Sequence, residues 1–539
     1  MTDRHRCGKA ATVSLLLLIF AAGCYSPERH TNFQTDFAEV GNTTQPVGQD
    51  TTAPAYGMST ADTGALPFPS PDAGPLALSL EYAVVAALRG NRDLAVQQFE
   101  PVIAGTFEQI ERGEFDPEVF ASLELMEEIA NETSRSTGGQ FSVEAHEATA
   151  ETGIRQTLPS GTALEATVDQ ERTISNRAPE QQTARVGFRV TQALLRGRRT
   201  NVNLASIRQA ELETEISWHE LRGYTEAIVA STETAYWNYV LAQEEIAIFE
   251  SSLDVARRQR DDIEQRIEVG TLPKNEAAAS RAEVARRKQA LIDARSLLEA
   301  RRLNLLRLAS PGDDPYAYKL QATSEPRLTA PPITNLSERL DLAVQSRPEL
   351  GEARLRLEQN RLETIVTRDG LRPRLDFFIE FGRSGFEDTF GGSFEKILDT
   401  ETYDVSVGLE LSQYLGNRAA RAEDRAAWAN RRQAQKAIEN LEDAVRLDVR
   451  LALNEIERAR QQIGASAATR KLQEESLKAE QERLDVGTST ALLVAQAQRD
   501  LLESQIAEIR AIITYRTALV RLYLAEGSLL ERRAIALLP

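Results

Sequence analysis

The 539-residue chain holds two cysteines, four histidines and an aromatic content of only 6%. Each shortage excludes something. The histidines, His5, His30, His146 and His219, lie far apart or without ligand spacing, so no metal centre is read from the chain. Neither a phosphate-cradling glycine loop nor a nucleophile elbow occurs. Acid pairs such as Glu127 with Glu128 and Asp261 with Asp262 read as solvated faces rather than acid-base couples. An enzyme is therefore not expected, nor any catalytic residue, cofactor or metal. After Ala22 no apolar run approaches the roughly 20 residues a spanning helix needs, so any membrane crossing must be made by strands. Positive charge is short as well. With 63 Lys and Arg against 81 Asp and Glu, the formal net charge is -18, which argues against nucleic acid as a partner bound through bulk charge.

What is present begins with Arg4, Arg6 and Lys9 ahead of an apolar stretch from Ala10 to Ala22, too short to span a bilayer and suited to a signal-peptide core. Residues 1–23 are expected to be that signal. Ala21, Ala22 and Gly23 before Cys24 resemble the lipobox of bacterial lipoproteins, which implies cleavage ahead of Cys24 and its acylation. Each buried CH₂ of such chains adds about 0.8 kcal/mol of membrane affinity. Cys7 would leave with the signal, so no disulfide is expected in the mature chain. Residues 24–75, rich in Ser, Thr, Pro, Gly, Asp and Asn, read as an acylated N-terminus and flexible tether.

The strongest internal signal is duplication. "ALRGNRDL" (87–94) matches "AVQSRPEL" (343–350), and Pro117 meets Pro373 at the same offset of 256. "VGFRVTQALL" (186–195) matches "VGLELSQYL" (407–415), and "RIEVGT" (266–271) matches "RLDVGT" (483–488). Offsets fall from 256 to 221 to 217, which places a surplus of some 35 residues between Pro117 and Val186. The expected first repeat is 76–310, with strands within 117–193, a long helix 198–268, a tip turn and a return helix 274–309. A linker 311–335 leads to the second repeat, 336–530, with strands within 373–413, a long helix 418–485, a tip turn and a return helix 490–528. Residues 531–539 read as a C-terminal tail.

Four strand candidates alternate apolar with polar residues: Val119 to Leu125, Val186 to Val190, Leu375 to Phe381 and Val405 to Leu411. A soluble sheet with one wet face makes the same pattern. Four strands cannot close a membrane barrel, for which about eight is the minimum, so a barrel would require several chains. The inserted region 129–182 contains "GIRQTLPSGTALEATV" (153–168), a hairpin signal expected to extend the sheet on its outer side. In the second long helix Ile438, Leu441, Val445, Val449, Ala452, Ile456, Ala459 and Ile463 form a coiled-coil seam with a stutter at Val449. At the tips, Gly270 and Gly487 are expected to end the long helices, Thr271 or Thr488 to cap the next, and Pro273 to open the first turn of the return helix.

In order and spacing, "ALRGNRDL", "RPEL", "VGFRVTQALLRG", "AYWNYVLAQE" (235–244), the paired R-x-x-V-G-T turns and "YRTALVRLYLAEGSLL" (515–530) resemble the TolC-like outer-membrane efflux proteins. That resemblance implies a mainly α fold with a small β part: two tandem repeats of strand pair plus long antiparallel coiled-coil helices. It further implies a homotrimer whose four strands per chain make a twelve-stranded β-barrel in outer-membrane lipid, continued by a periplasmic α-helical barrel. The implied function is passive conduction in a tripartite efflux or type I secretion system, with a periplasmic adaptor (membrane fusion) protein and an inner-membrane pump as partners. Carried over, Val269, Gly270, Thr271, Leu272, Val486, Gly487 and Thr488 are adaptor-docking tips, and Glu276, Leu493 and Gln496 form the channel constriction. Leu493 and Gln496 stand where some members carry aspartates, so an apolar ring replaces a cation-selecting one. The alternative is a periplasmic coiled-coil lipoprotein acting as scaffold or spacer, which accounts for anchor and helices but not for the paired strands.

Overall fold

The computed structural model describes residues 74–536, apart from 134, 137, 275, 310–313, 327–332, 334 and 400. The signal, Cys24 and nearly all of the tether lie outside the described residues. Ala65–Arg533 form one compact unit; of the other, Met1–Gly64 with Ala534–Pro539, only 534–536 are described. In chain order the first half runs β1 (Leu76–Leu78), α1 (Leu80–Gly90), α2 (Arg92–Gln97), α3 (Glu100–Arg112), β2 (Glu118–Thr133), β3 (Gln140–Leu158), β4 (Thr162–Ser175), β5 (Gln181–Ala193), α4 (Thr200–Asn203), α5 (Ala205–Glu268) and α6 (Glu276–Ala309). The second half runs β6 (Leu320–Ala322), α7 (Leu336–Ser346), α8 (Pro348–Gly370), β7 (Arg374–Glu387), α9 (Phe390–Asp399), β8 (Asp404–Ser412), α10 (Arg418–Asp485), α11 (Ala491–Ala525) and α12 (Leu529–Arg532).

The second long helix, α10, occupies 418–485 as expected. The first starts later, because the one-turn α4 and a break at Leu204 precede α5. Asn203 holds that turn to the sheet, its side-chain amide donating to the carbonyls of Pro159 (2.9 Å) and Gly197 (2.7 Å). The linker is not a bare connection either, since β6 pairs in parallel with β1. The "AYWNYV" stretch explains why: the Tyr236 hydroxyl donates to the Leu78 carbonyl (3.0 Å) and that of Tyr239 to the Leu320 carbonyl (2.6 Å). These rings, with Leu305, Leu306 and Ile513, make one of two helical cores. The other is the expected seam: Val445, Val449, Ile456 and Ala459 pack with Tyr515, Ala518 and Leu522 of α11 and Leu350 of α8. The tail begins later than expected, because Arg533 is clamped by Glu233 through two 2.7 Å hydrogen bonds.

The sheet corrects the sequence reading in one important respect. It has six strands, ordered β2-β3-β4-β5-β7-β8 and antiparallel throughout, so the inserted hairpin lies in its middle rather than on its outer side. Pairing of β3 runs the whole length of β2, from Glu118 opposite Arg155 to Thr133 opposite Gln140. The turn from β3 to β4 joins Leu158 and Thr162, with Gly161 in the left-handed region at φ 76°. That turn meets the helical end of β5, where the Ala193 amide donates to the Gly161 carbonyl (2.9 Å). The inserted strands thus cross the full height of the sheet.

Candidate functional site

Cross-strand register settles how the two faces of the sheet are built. One row reads Val119, Ile154, Ala166, Phe188, Phe381, Val405 across all six strands. Leu164, Val190, Ile379 and Val407, with Gln156, form the next row on the same side, so that face carries an apolar belt. The opposite face is charged. There, Glu118, Arg155, Glu165, Arg189 and Glu380 stand side by side with alternating sign. Arg155 donates to Glu118 (2.7 Å), and Arg185 donates to both Glu380 (2.7 Å) and Asp404 (2.8 Å). Phe120 and Phe378 on this face lie over Gly153 and Gly408, where a Cβ would meet the rings at 2.8 and 2.5 Å. β2 and β8 are the outer strands, each paired on one side only among the described residues.

At the far end of the helices the two tips are near copies. Val269 ends α5, the Gly270 amide donates to Ile267 O (3.1 Å) and the Thr271 amide to Arg266 O (2.9 Å). Val486, Gly487 and Thr488 repeat this on Leu484 (3.1 Å) and Arg483 (2.9 Å), a Schellman end with the glycine at positive φ in both. The threonines depart from expectation. Their hydroxyls donate backward, Thr271 to Arg266 O (2.8 Å) and Thr488 to Arg483 O (3.2 Å), while Thr490 caps α11 through the Leu493 amide (3.4 Å). Pro273 also stands outside its helix, its carbonyl accepting the Glu276 amide (3.2 Å) where α6 begins. Val269 and Val486 are exposed, Leu493 and Gln496 lie on the open side of α11, and Glu276 is half-buried.

Two charge clusters were not apparent from sequence. Arg266 of one tip donates to Asp485 of the other (2.9 Å), which ties the hairpins together. Deeper in, Glu283 and Arg287 of α6 are buried at 2.8 Å from each other, with Arg499 of α11 at 3.7 Å from Glu283, and burial pushes the Arg287 guanidinium below its usual range. A third site joins α5 to α12, where Arg222 donates to Glu531 (2.5 Å). Glu226 is buried, accepts from Arg222 (3.3 Å), and its carboxyl is pushed up to about 7, chiefly by burial.

Residues 340–528 match the outer membrane efflux protein family. That match lies within the second half of the chain. Its whole described fold is similar to that of the outer-membrane channel OprN, at 17% identity and TM-score 0.62 over 83% of this chain and 90% of that one. A membrane protein from Pseudomonas aeruginosa is similar at 20% identity and TM-score 0.63, over 88% and 99% of the two chains. The Campylobacter jejuni CmeC outer membrane channel is similar at 16% and 0.62, over 88% and 94%. No curated protein matches by sequence. The family matched over residues 340–528 is one of outer membrane proteins, and no helix among the described residues is long and apolar enough to cross a membrane. Among the residues singled out from sequence, the efflux fold brings the paired valine-glycine tips together, and it sets Glu276, Leu493 and Gln496 one to two turns above them.

Proposed function

We propose that three copies of this chain form one conduit, which passively exports substrate received from an inner-membrane pump through a periplasmic adaptor. The observation that carries this reading is a full-height sheet with one lipid-compatible face, one charged face and two strand edges without partners among the described residues. The helices carry exposed apolar sides as well. Val96, Phe99, Ile103, Phe107 and Ile110 form an exposed stripe running into α3, which leads to β2. Leu447, Leu451 and Leu472 are exposed on α10, which follows β8. A single seam, β2 and α3 against β8 and α10 of the next copy, covers all four.

Three six-stranded sheets make an eighteen-stranded wall rather than a twelve-stranded one. Six strands about 4.8 Å apart and tilted about 40° span roughly 38 Å of circumference per chain. Beneath them α3, α5, α8 and α10 pack in series, and four helices at about 9 Å span roughly 36 Å. Wall and tunnel therefore have matching girth. At the lower end, Val269, Gly270, Thr271, Leu272, Val486, Gly487 and Thr488 receive the adaptor, while Glu276, Leu493 and Gln496 from three copies narrow the bore. Cys24 carries the acyl anchor.

The test is purification from outer membranes followed by planar-bilayer recording. Heat-modifiable trimers that conduct ions are expected; a conducting species is not expected from a scaffold. A water-soluble monomer or dimer without conductance would overturn the reading.

A further inference from the structure

α9, in the connection between β7 and β8, lies on the belt face of the sheet. Two contacts and one buried residue fix the side. A Cβ on Gly385 of β7 would lie 2.0 Å from the Ser393 carbonyl oxygen and 2.7 Å from the Ile397 amide, so the helix backbone touches the strand there. The Ser393 hydroxyl is 3.3 Å from Oε1 of Gln170 on β4. Ala184 of β5 is 0% exposed. Gln170, Ala184 and Gly385 are direct cross-strand neighbours, four residues along from Ala166, Phe188 and Phe381 on the same face. Four residues of strand are about 13 Å, away from the helices and toward the outer end of the wall.

We propose that α9 is an interfacial helix seated in the outer leaflet of the outer membrane. Its inner side is used up, with Ser393 and Ile397 buried against the strands. One flank of the helix is apolar: Phe390 is 55% exposed and Leu398 80%, and the Phe394 ring sits 5.2 Å from that of Phe390. This surface continues the lipid-facing belt upward, so its occupant is the same lipid met at the boundary of acyl chain and headgroup. Glu395, Lys396 and Asp399 supply the charged remainder expected of a helix lying in that plane. The sheet gains from the arrangement. Gln170 and Gln182, 3.4 Å apart, are polar residues on the belt side, and α9 keeps acyl chains off them.

The inference rests on the sheet being a membrane wall, and the experiment separates the two. Nitroxides are placed singly at Leu398→Cys on α9 and at Ile379→Cys on the β7 belt, in full-length protein reconstituted into phospholipid vesicles. The unsubstituted chain measures any label at Cys24. Collision with oxygen should exceed collision with a water-soluble nickel chelate at both sites, with 398 shallower than 379. A label at 398 that meets the chelate freely while 379 stays in lipid overturns the α9 proposal alone. Free chelate access at 379 removes the membrane wall, and α9 with it.

Discussion

Gly270 and Gly487 hold φ at 82° and 76° in open space, with nothing near a hypothetical Cβ, so their requirement is for backbone conformation alone. A β-branched residue there costs about 1–2 kcal/mol of local strain and clashes with nothing. Gly487→Val should therefore leave trimers intact on heat-modifiability gels while export falls; full export would contradict the tip's docking role. Glu226 gives a second prediction. Its folded-state pKa of about 7 lies above the ordinary carboxyl value of 4.5, so its protonated form is favoured by folding. That contribution is complete below pH 4.5 and is lost as pH rises through 7. Glu226→Gln should accordingly gain stability relative to the parent between pH 5 and pH 8, by roughly 1–3 kcal/mol, seen in thermal unfolding at the two pH values. The tip glycines were legible in sequence because only one conformation ends a helix that way. The threonines were not, since a hydroxyl can accept at the next helix or donate to the last, and both fit the same spacing. Glu283, Arg287 and Arg499 escaped for another reason: their meeting depends on the packing of α6 on α11, which no local pattern records.

At the scale of elements, the coiled-coil seam on α10 was read correctly because burial repeats with the helix, and Val445, Val449, Ile456 and Ala459 are its deepest members. Ile456→Ala should destabilise by roughly 2–5 kcal/mol, which calorimetric melting of the variant beside the parent checks. The inserted hairpin shows what patterning does and does not determine. The surplus of some 35 residues corresponds to β3, its turn and β4, residues 140–175. Alternation correctly gave its two faces, and Pro159-Ser160-Gly161 its turn. Its neighbours were misplaced, because period two fixes which way a side chain points and not which strand lies alongside. A signal did exist: Gly153-Ile154-Arg155 repeats Gly187-Phe188-Arg189, and both glycines sit on the charged face in one row through Thr167.

For the whole molecule, the duplication foretold two equivalent halves, and the fold delivers them with different fillings. Between β2 and β5 the first half carries a second hairpin, whereas between β7 and β8 the second half carries α9. One hairpin more per chain is what turns the implied twelve strands into eighteen and brings the wall to the girth of the helices beneath. Deleting 140–175 should therefore narrow the outlet. Polymers added from the outer side would be excluded at a smaller size than in the parent, and an unchanged cut-off would show that the hairpin does not line the pore. Most direct is electron cryo-microscopy of the full-length protein in lipid nanodiscs. The account predicts a threefold particle whose membrane portion is a single eighteen-stranded barrel, continuous with a helical tunnel. A particle without an axial bore, or a twelve-stranded barrel with β3 and β4 folded outside the wall, would contradict it.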